Sequence, residues 1–194
     1  MIPKEDVMYF LEKYEDAIKG LSFFEITTGL ALWWFGKVGV KAAVVETGLG
    51  GRLDSTNIIE PELSVITSIG LDHCSMLGNT RALIAAEKPG TFKAGAPALV
   101  WGKDQETMGD FINKAEKVRC HLYFADEVTA HLPLMEMDLS GEYQSDNLRT
   151  SLATLPLLHL TPDYEAINHT ARISGLHGRW EIISKRPLTI CDIG

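Results

Sequence analysis

The sequence predicts a three-layer α/β/α fold with a mostly parallel sheet. Three observations carry that expectation: short Val- and Ile-rich runs bounded by Gly and Pro, helical stretches between them, and a regular alternation of the two along 194 residues. That length suits one sizeable core, and residues 1–194 are read as a single central domain.

Taken in order, "KEDVMYFLEKYEDAI" sets Val7, Phe10, Leu11, Tyr14 and Ile18 at helical spacing with charges on the other side. "SFFEITTGLALWWFGKVG" is apolar nearly all round, which predicts a helix packed against a sheet. "KAAVVE" and "LSVITSIG" predict buried parallel strands. "TRALIAAEKPG" predicts a helix stopped by Pro89 and Gly90 directly after Lys88. "APALVWG" and "HLYFAD" predict two more strands, with the helix "DQETMGDFINKAEKV" between them. A turn into a helix follows at "SGEYQSDNLRTSLATLPLLH", then a helix at "YEAINHTARIS" and a last strand at "PLTICDIG".

Composition excludes several classes. Apolar residues are 45% and charged residues 23%, too apolar for a disordered chain. The net charge of −8 comes without a basic stripe, against a nucleic-acid partner. The most apolar stretch, "LSFFEITTGLALWWFG", contains Glu25 and falls short of the roughly 20 uncharged residues a membrane span needs. No signal peptide is visible. Cys74, Cys120 and Cys191 are scattered and never paired as C-x-x-C, which fits a reducing, cytoplasmic setting.

Ligands of open parallel sheets bind beyond the carboxyl ends of the strands. Polar groups fall there three times: Glu46 after "AAVV", Asp72 and His73 after "SVITSIGL", and Asp192 after "LTIC". A carboxylate and an imidazole suit a divalent ion that also holds phosphates, magnesium first, with manganese and zinc open on ligand type. The plainer reading is that such acids cap the next turn. "VVETGLGGRLDSTN" resembles a phosphate loop at first sight. A dinucleotide fingerprint would need glycine where Leu53 stands, and the two Gly-Lys pairs run on into Val38 and Asp104 rather than Ser or Thr. Both phosphate-loop readings fail. Lys88 has two readings as well: a helix-end cation, or a partly buried amine able to take up carbon dioxide as a carbamate.

Together "SFFEITT", "VVETGLGGRLDSTN", "SVITSIGLDHCSMLGNT", "AAEKPG", "GEYQSDN", "LHGRWEII" and "LTICDIG" closely resemble folylpolyglutamate synthase and its bifunctional relative dihydrofolate synthase, of the Mur-type ATP-dependent amide ligases. The resemblance runs in order over almost the whole chain. It implies a ligase that phosphorylates a pterin-bearing carboxylate with ATP and joins L-glutamate to it through the acyl phosphate. The acceptor would be dihydropteroate or a reduced folate. By the same resemblance Glu46 and His73 are magnesium ligands, and Lys88 is the carbamylated lysine. Gln144, Asn147, Arg179 and Asp192 are nucleotide contacts, with the arginine on the phosphates. Ser22, Phe24 and Asp54 lie on the pterin side, where an aromatic face and a carboxylate suit the ring.

Three departures qualify this. The family's Gly-Lys-Gly-Ser turn precedes the first helix seen here, and its C-terminal domain begins beyond the point where this chain stops. The stretch from Asp126 to Gly141 is also shorter than the family's. The expectation is an incomplete, inactive core that self-associates, from a full-length monomer. Two alternatives are a non-catalytic folate-binding or assembly module and a ligase for a muramyl-peptide-type acceptor.

Overall fold

The computed structural model describes residues 1–71, 78–132, 137–139 and 141–193. They fall into two compact units, Met1–Glu60 and Pro61–Gly194.

In the first unit, helices α1 (Lys4–Lys13), α2 (Glu15–Ile18) and α3 (Phe23–Val38) precede a 3₁₀ turn at Ser55–Ile58. The apolar stripe of α1 buries Phe10, whose ring lies 5.0 Å from that of Tyr14 and 5.5 Å from that of Trp33. An ion pair between Lys37 and Asp6 ties the last turn of α3 to the first turn of α1. Helix α3 opens with a capping box. The Glu25 amide donates to Ser22 Oγ at 3.2 Å, and the Ser22 amide donates to Glu25 Oε2 at 2.7 Å. It closes at Gly39, whose φ of 65° is the left-handed value that favours glycine at a helix end.

The second unit holds the parallel sheet, β1 (Ser64–Ile66), β2 (Ala98–Val100) and β3 (Leu122–Phe124), in that order across the sheet. Ser64 pairs with Ala98, and Ala98 with Leu122. Helix α4 (Arg81–Glu87) connects β1 to β2, and α5 (Met108–Val118) connects β2 to β3. Ile84, Ala85, Phe111 and Ala115 from these helices pack with Ile66, Ala98, Val100 and Phe124 of the strands. Leu99, pointing the other way, packs with Ala125 of α6 (Ala125–Val128) and Ala153 of α7 (Glu142–Leu157). Covered on both faces, all three β2 residues are fully buried, which is why "ALV" reads as a continuous apolar run rather than an alternating one.

Arg81, at the first position of α4, donates through Nε to the Ile69 carbonyl at 3.3 Å and pairs with Asp104 and Glu106. It thereby joins the loop after β1 to the loop after β2. Lys103 pairs with Glu127, and its amide donates to Asp126 Oδ2 at 3.3 Å, which joins the loop after β2 to α6. No helix among the described residues is long and apolar enough to cross a membrane.

The three-layer expectation agrees with this sheet and its helices, and three stretches differ from their sequence reading. Residues 42–47 form no strand, and Val44 is fully exposed. A strand persists only where a neighbour takes up its backbone hydrogen bonds, and no described segment pairs with this one. "PLTICDIG" does supply a strand, β5 (Leu188–Cys191), outside the parallel sheet. It pairs antiparallel with β4 (Glu181–Lys185), an element the sequence did not announce. Only two residues separate Lys185 from Leu188, and a connection that short joins antiparallel neighbours alone. The helix expected over 164–174 breaks at His169 into α8 (Tyr164–Asn168) and α9 (Thr170–Ser174). Asp138 causes the break, accepting the amides of Ala171 at 2.7 Å and Arg172 at 3.1 Å that a continuous helix would spend on its own carbonyls. The helix stop expected at Lys88-Pro89 is present: α4 ends at Glu87 with Lys88 as its C-cap, and Lys88 and Pro89 open a 3₁₀ turn to Thr91.

Leu99→Ala should cost about 2–5 kcal/mol, because it deletes a fully buried side chain from the central strand. Urea unfolding measures this. A loss under about 1 kcal/mol would mean that α7 is not seated on β2.

Candidate functional site

The first unit brings three of the sequence-predicted positions together around the glycine loop. Ser22 is the N-cap of α3, with its hydroxyl oxygen accepting from the Glu25 amide. Two residues on, the Phe24 ring lies so close to Gly48 that a Cβ added there would meet Phe24 Cζ at 2.5 Å. What sets Gly48 apart is this close approach of the ring tip rather than its dihedral angles. Phe24 remains 41% exposed.

Asp54 organises the same loop from the other side. Its Oδ2 accepts the Leu49 amide at 2.8 Å, and its Oδ1 accepts the Thr56 amide at 2.9 Å and the Thr56 hydroxyl at 2.6 Å. This closes an Asx-type turn over Ser55–Ile58 while fixing the glycines behind it. Burial by itself would raise the Asp54 carboxyl. The bonds from the Thr56 side chain and from the Thr56, Leu49 and Gly48 amides outweigh it and hold the group below the ordinary carboxylate range. Asn57 Nδ2 donates to the Arg52 carbonyl at 3.0 Å across the turn. Glu46 lies exposed on the non-strand segment leading into the loop.

The second unit carries the rest. Lys88 is half-buried where α4 passes into the 3₁₀ turn, with its amide donating to the Ile84 carbonyl. The following turn is anchored to β1 by Ser64 Oγ, which donates to the Thr91 carbonyl at 2.9 Å. Gln144 and Asn147 share one side of α7 at a spacing of three, and Asn147 Nδ2 donates to Gln144 Oε1 at 3.2 Å. Gln144 is buried and Asn147 half-buried.

Arg179 and Asp192 are brought alongside each other by the backbone. The Ile193 amide donates to the Gly178 carbonyl at 2.9 Å, which sets the residue after Asp192 against the residue before Arg179. Asp192 follows β5 of the ribbon and Glu46 follows no strand, while Asp72 and His73 lie outside the described residues. The common edge of one parallel sheet expected for these acids is therefore not observed among the described residues. Nor does any group of three or more His, Cys, Asp or Glu among them converge as a metal site.

Two participants were not singled out by the sequence reading. Thr56 saturates Asp54, and its signal is the Asp-x-Thr spacing of an Asx turn in "DST". Glu181 accepts the Gly178 amide at 2.9 Å, and its signal is the His-x-x-x-Glu spacing that frames "GRW".

No protein-family model matches the chain. Among curated proteins, the dihydrofolate synthase/folylpolyglutamate synthase of Escherichia coli K12 is 34% identical over 184 residues, covering 89% of this chain and 43% of that protein. Among solved structures, E. coli FolC in complex with DHPP and ADP superposes with a TM-score of 0.81 at 31% identity, covering all of this chain and 50% of that one. The bifunctional folylpolyglutamate synthase/dihydrofolate synthase of Yersinia pestis complexed with AMPPNP and Mn ion gives 0.78 at 29% identity, again over 100% and 50%. The relationship is to enzymes that join an acid to an amino acid, and it spans nearly the whole chain. The chain belongs to the folylpolyglutamate synthase/dihydrofolate synthase family, and it spans about half the length or less of the curated relatives it matches.

Asp54→Asn should remove a stabilisation that is pH-dependent in a defined sense. A depressed folded-state pKa contributes stability above the unfolded value of about 3.9 and loses it as the pH falls through the folded value. Urea unfolding across pH should show a constant gap between parent and variant above about pH 5 that closes in acid. A gap that persists unchanged into strong acid would remove the carboxylate from this account.

Proposed function

We propose that this chain is the ATP- and folate-site part of a cytoplasmic ligase that adds L-glutamate to a folate or dihydropteroate carboxylate. The single observation that supports it most is the fold match along the entire chain to E. coli FolC carrying DHPP and ADP. In this reading ATP phosphorylates the acceptor carboxylate, releasing ADP. The glutamate amine then attacks the acyl carbon, and phosphate leaves as the tetrahedral intermediate collapses to the amide.

The chain's own residues divide that work. Arg179 lies on the ATP phosphates, where a guanidinium offsets charge developing on the transferred group. Gln144 and Asn147 present carboxamides to the nucleotide from α7, and Asp192 completes its enclosure. Phe24 offers its partly exposed ring to a pterin, while Ser22 and Asp54 hold the helix start and the loop that frame it. Glu46, His73 and Lys88, the last as a carbamate, are the proposed ligands of magnesium or manganese. Such an ion would neutralise phosphate charge. The described residues do not by themselves converge as a metal site, and no step is assigned to the ion.

Trp33 and Trp34 share α3 with Phe24 and give that helix an intrinsic fluorescent probe. A dihydropteroate or tetrahydrofolate titration should quench their emission saturably in the parent chain and weaken roughly tenfold or more in Phe24→Ala, as for loss of a stacking face. A flat titration would sink the acceptor assignment. For the ligase reaction, ADP release by a relative of full length in which this chain replaces the matching half should need both L-glutamate and the pterin acceptor, whereas the 194-residue chain alone should give none. Release indifferent to glutamate would point to another reaction.

A further inference from the structure

The turn that carries Arg179 is held in an unusual way. Arg179 stands between two left-handed residues, Gly178 at φ 71° and Trp180 at φ 51°. A bulky aromatic rarely adopts that region, so the turn persists only because its surroundings over-determine it. Gly178 is buried, and a Cβ there would meet Ile193 Cγ2 at 3.0 Å and Cys191 Sγ at 3.6 Å. Its carbonyl accepts from the Ile193 amide at 2.9 Å. Its own amide has no strand partner and donates instead to Glu181 Oε2 at 2.9 Å. The second oxygen of the same carboxylate, Oε1, lies 3.0 Å from His177 Nδ1.

Glu181 therefore closes a ring around Arg179: from its carboxylate to Gly178, along the chain through Arg179 and Trp180, and back to its own Cα. It is also the first residue of β4, in register with Cys191, so the clamp is anchored to the ribbon at its root. We infer that Glu181 is a positioning residue, which fixes the backbone on the N-terminal side of Arg179 through the Gly178 amide and so aims the guanidinium. This rests on the phosphate role proposed for Arg179. The Gly178 amide, and after it the His177 contact, hold the Glu181 carboxyl below its usual range, in keeping with an ionised acceptor.

The reason to expect an effect on affinity is entropic. A phosphate contact made by a side chain whose backbone is already fixed costs less ordering on binding than one made from a loose turn. Glutamine keeps an oxygen of the same reach for the Gly178 amide, whereas alanine leaves that amide without its acceptor.

Titration of the 194-residue chain with Mg·ATP, followed by calorimetry, tests this in parent, Glu181→Ala, Glu181→Gln, Arg179→Ala and the Glu181→Ala/Arg179→Ala double variant. Glu181→Ala should weaken binding roughly tenfold, Glu181→Gln should restore it to within about threefold, and Glu181→Ala should add nothing once Arg179 is gone. The last result is one that a merely structural residue would not give. An Arg179→Ala loss together with full affinity in Glu181→Ala would overturn the clamp and leave the phosphate reading standing. So would an equal cost of Glu181→Ala with and without Arg179. Affinity that is absent in the parent or unchanged in Arg179→Ala would overturn the phosphate reading and the clamp with it.

Discussion

A backbone amide with neither a helix nor a strand ladder to satisfy it is the constraint on which the functional segments of this protein rest. An unpaired polar group withdrawn from water is costly, so a segment that leaves regular structure must find acceptors elsewhere. Here single carboxylates do that repeatedly. Asp54 takes the amides of Leu49 and Thr56, Asp138 those of Ala171 and Arg172, and Glu181 that of Gly178. Asp126 takes the amides of Lys103 and Glu127, and Asp104 takes that of Glu106. Part of the acidic balance of the sequence is thus internal scaffolding rather than a field directed at a partner.

The scaffold and these carboxylates have separate duties. The parallel sheet supplies rigid burial, with β2 covered on both faces by α4 and α5 on one side and by α6 and α7 on the other. The pieces with candidate chemistry are not strands of it: the glycine loop, the turn after α4, the N-terminal end of α7 and the root of the β4–β5 ribbon. Their shapes follow from local bonds. Gly48 admits the Phe24 ring, Asp54 holds the loop beneath it, and the Gly178 amide and carbonyl bind Arg179's turn to Glu181 and Ile193.

The parts of the fold that were legible from sequence are those where one principle acts alone. The "ALV" run shows its burial directly, and Pro89 after Lys88 stops a helix whatever surrounds it. The misread elements are those where a distant residue decides. "KAAVVE" has strand composition without a partner among the described residues. The break at His169 is set by Asp138, 31 positions away, and no window around "AINHTAR" contains that carboxylate. The candidate site positions rest on motif resemblance, and the structure adds local roles for three of them. Ser22 caps a helix, Asp54 ties a loop, and Asn147 leans on Gln144. "SFFE" and "DST" do carry those roles as a capping box and an Asx turn, signals as short as the motifs that masked them.

The β4–β5 ribbon has one more consequence. Ile182, Ile183, Leu188 and Ile190 are all at least 37% exposed, so the ribbon gains little from burial and depends on its few cross-strand pairs. A segment built this way opens at a lower free energy than the sheet beside it and does so as its own cooperative piece. Arg179 sits where that piece begins. With little apolar burial there, the bonds that Gly178 makes to Glu181 and Ile193 are what keeps its guanidinium placed.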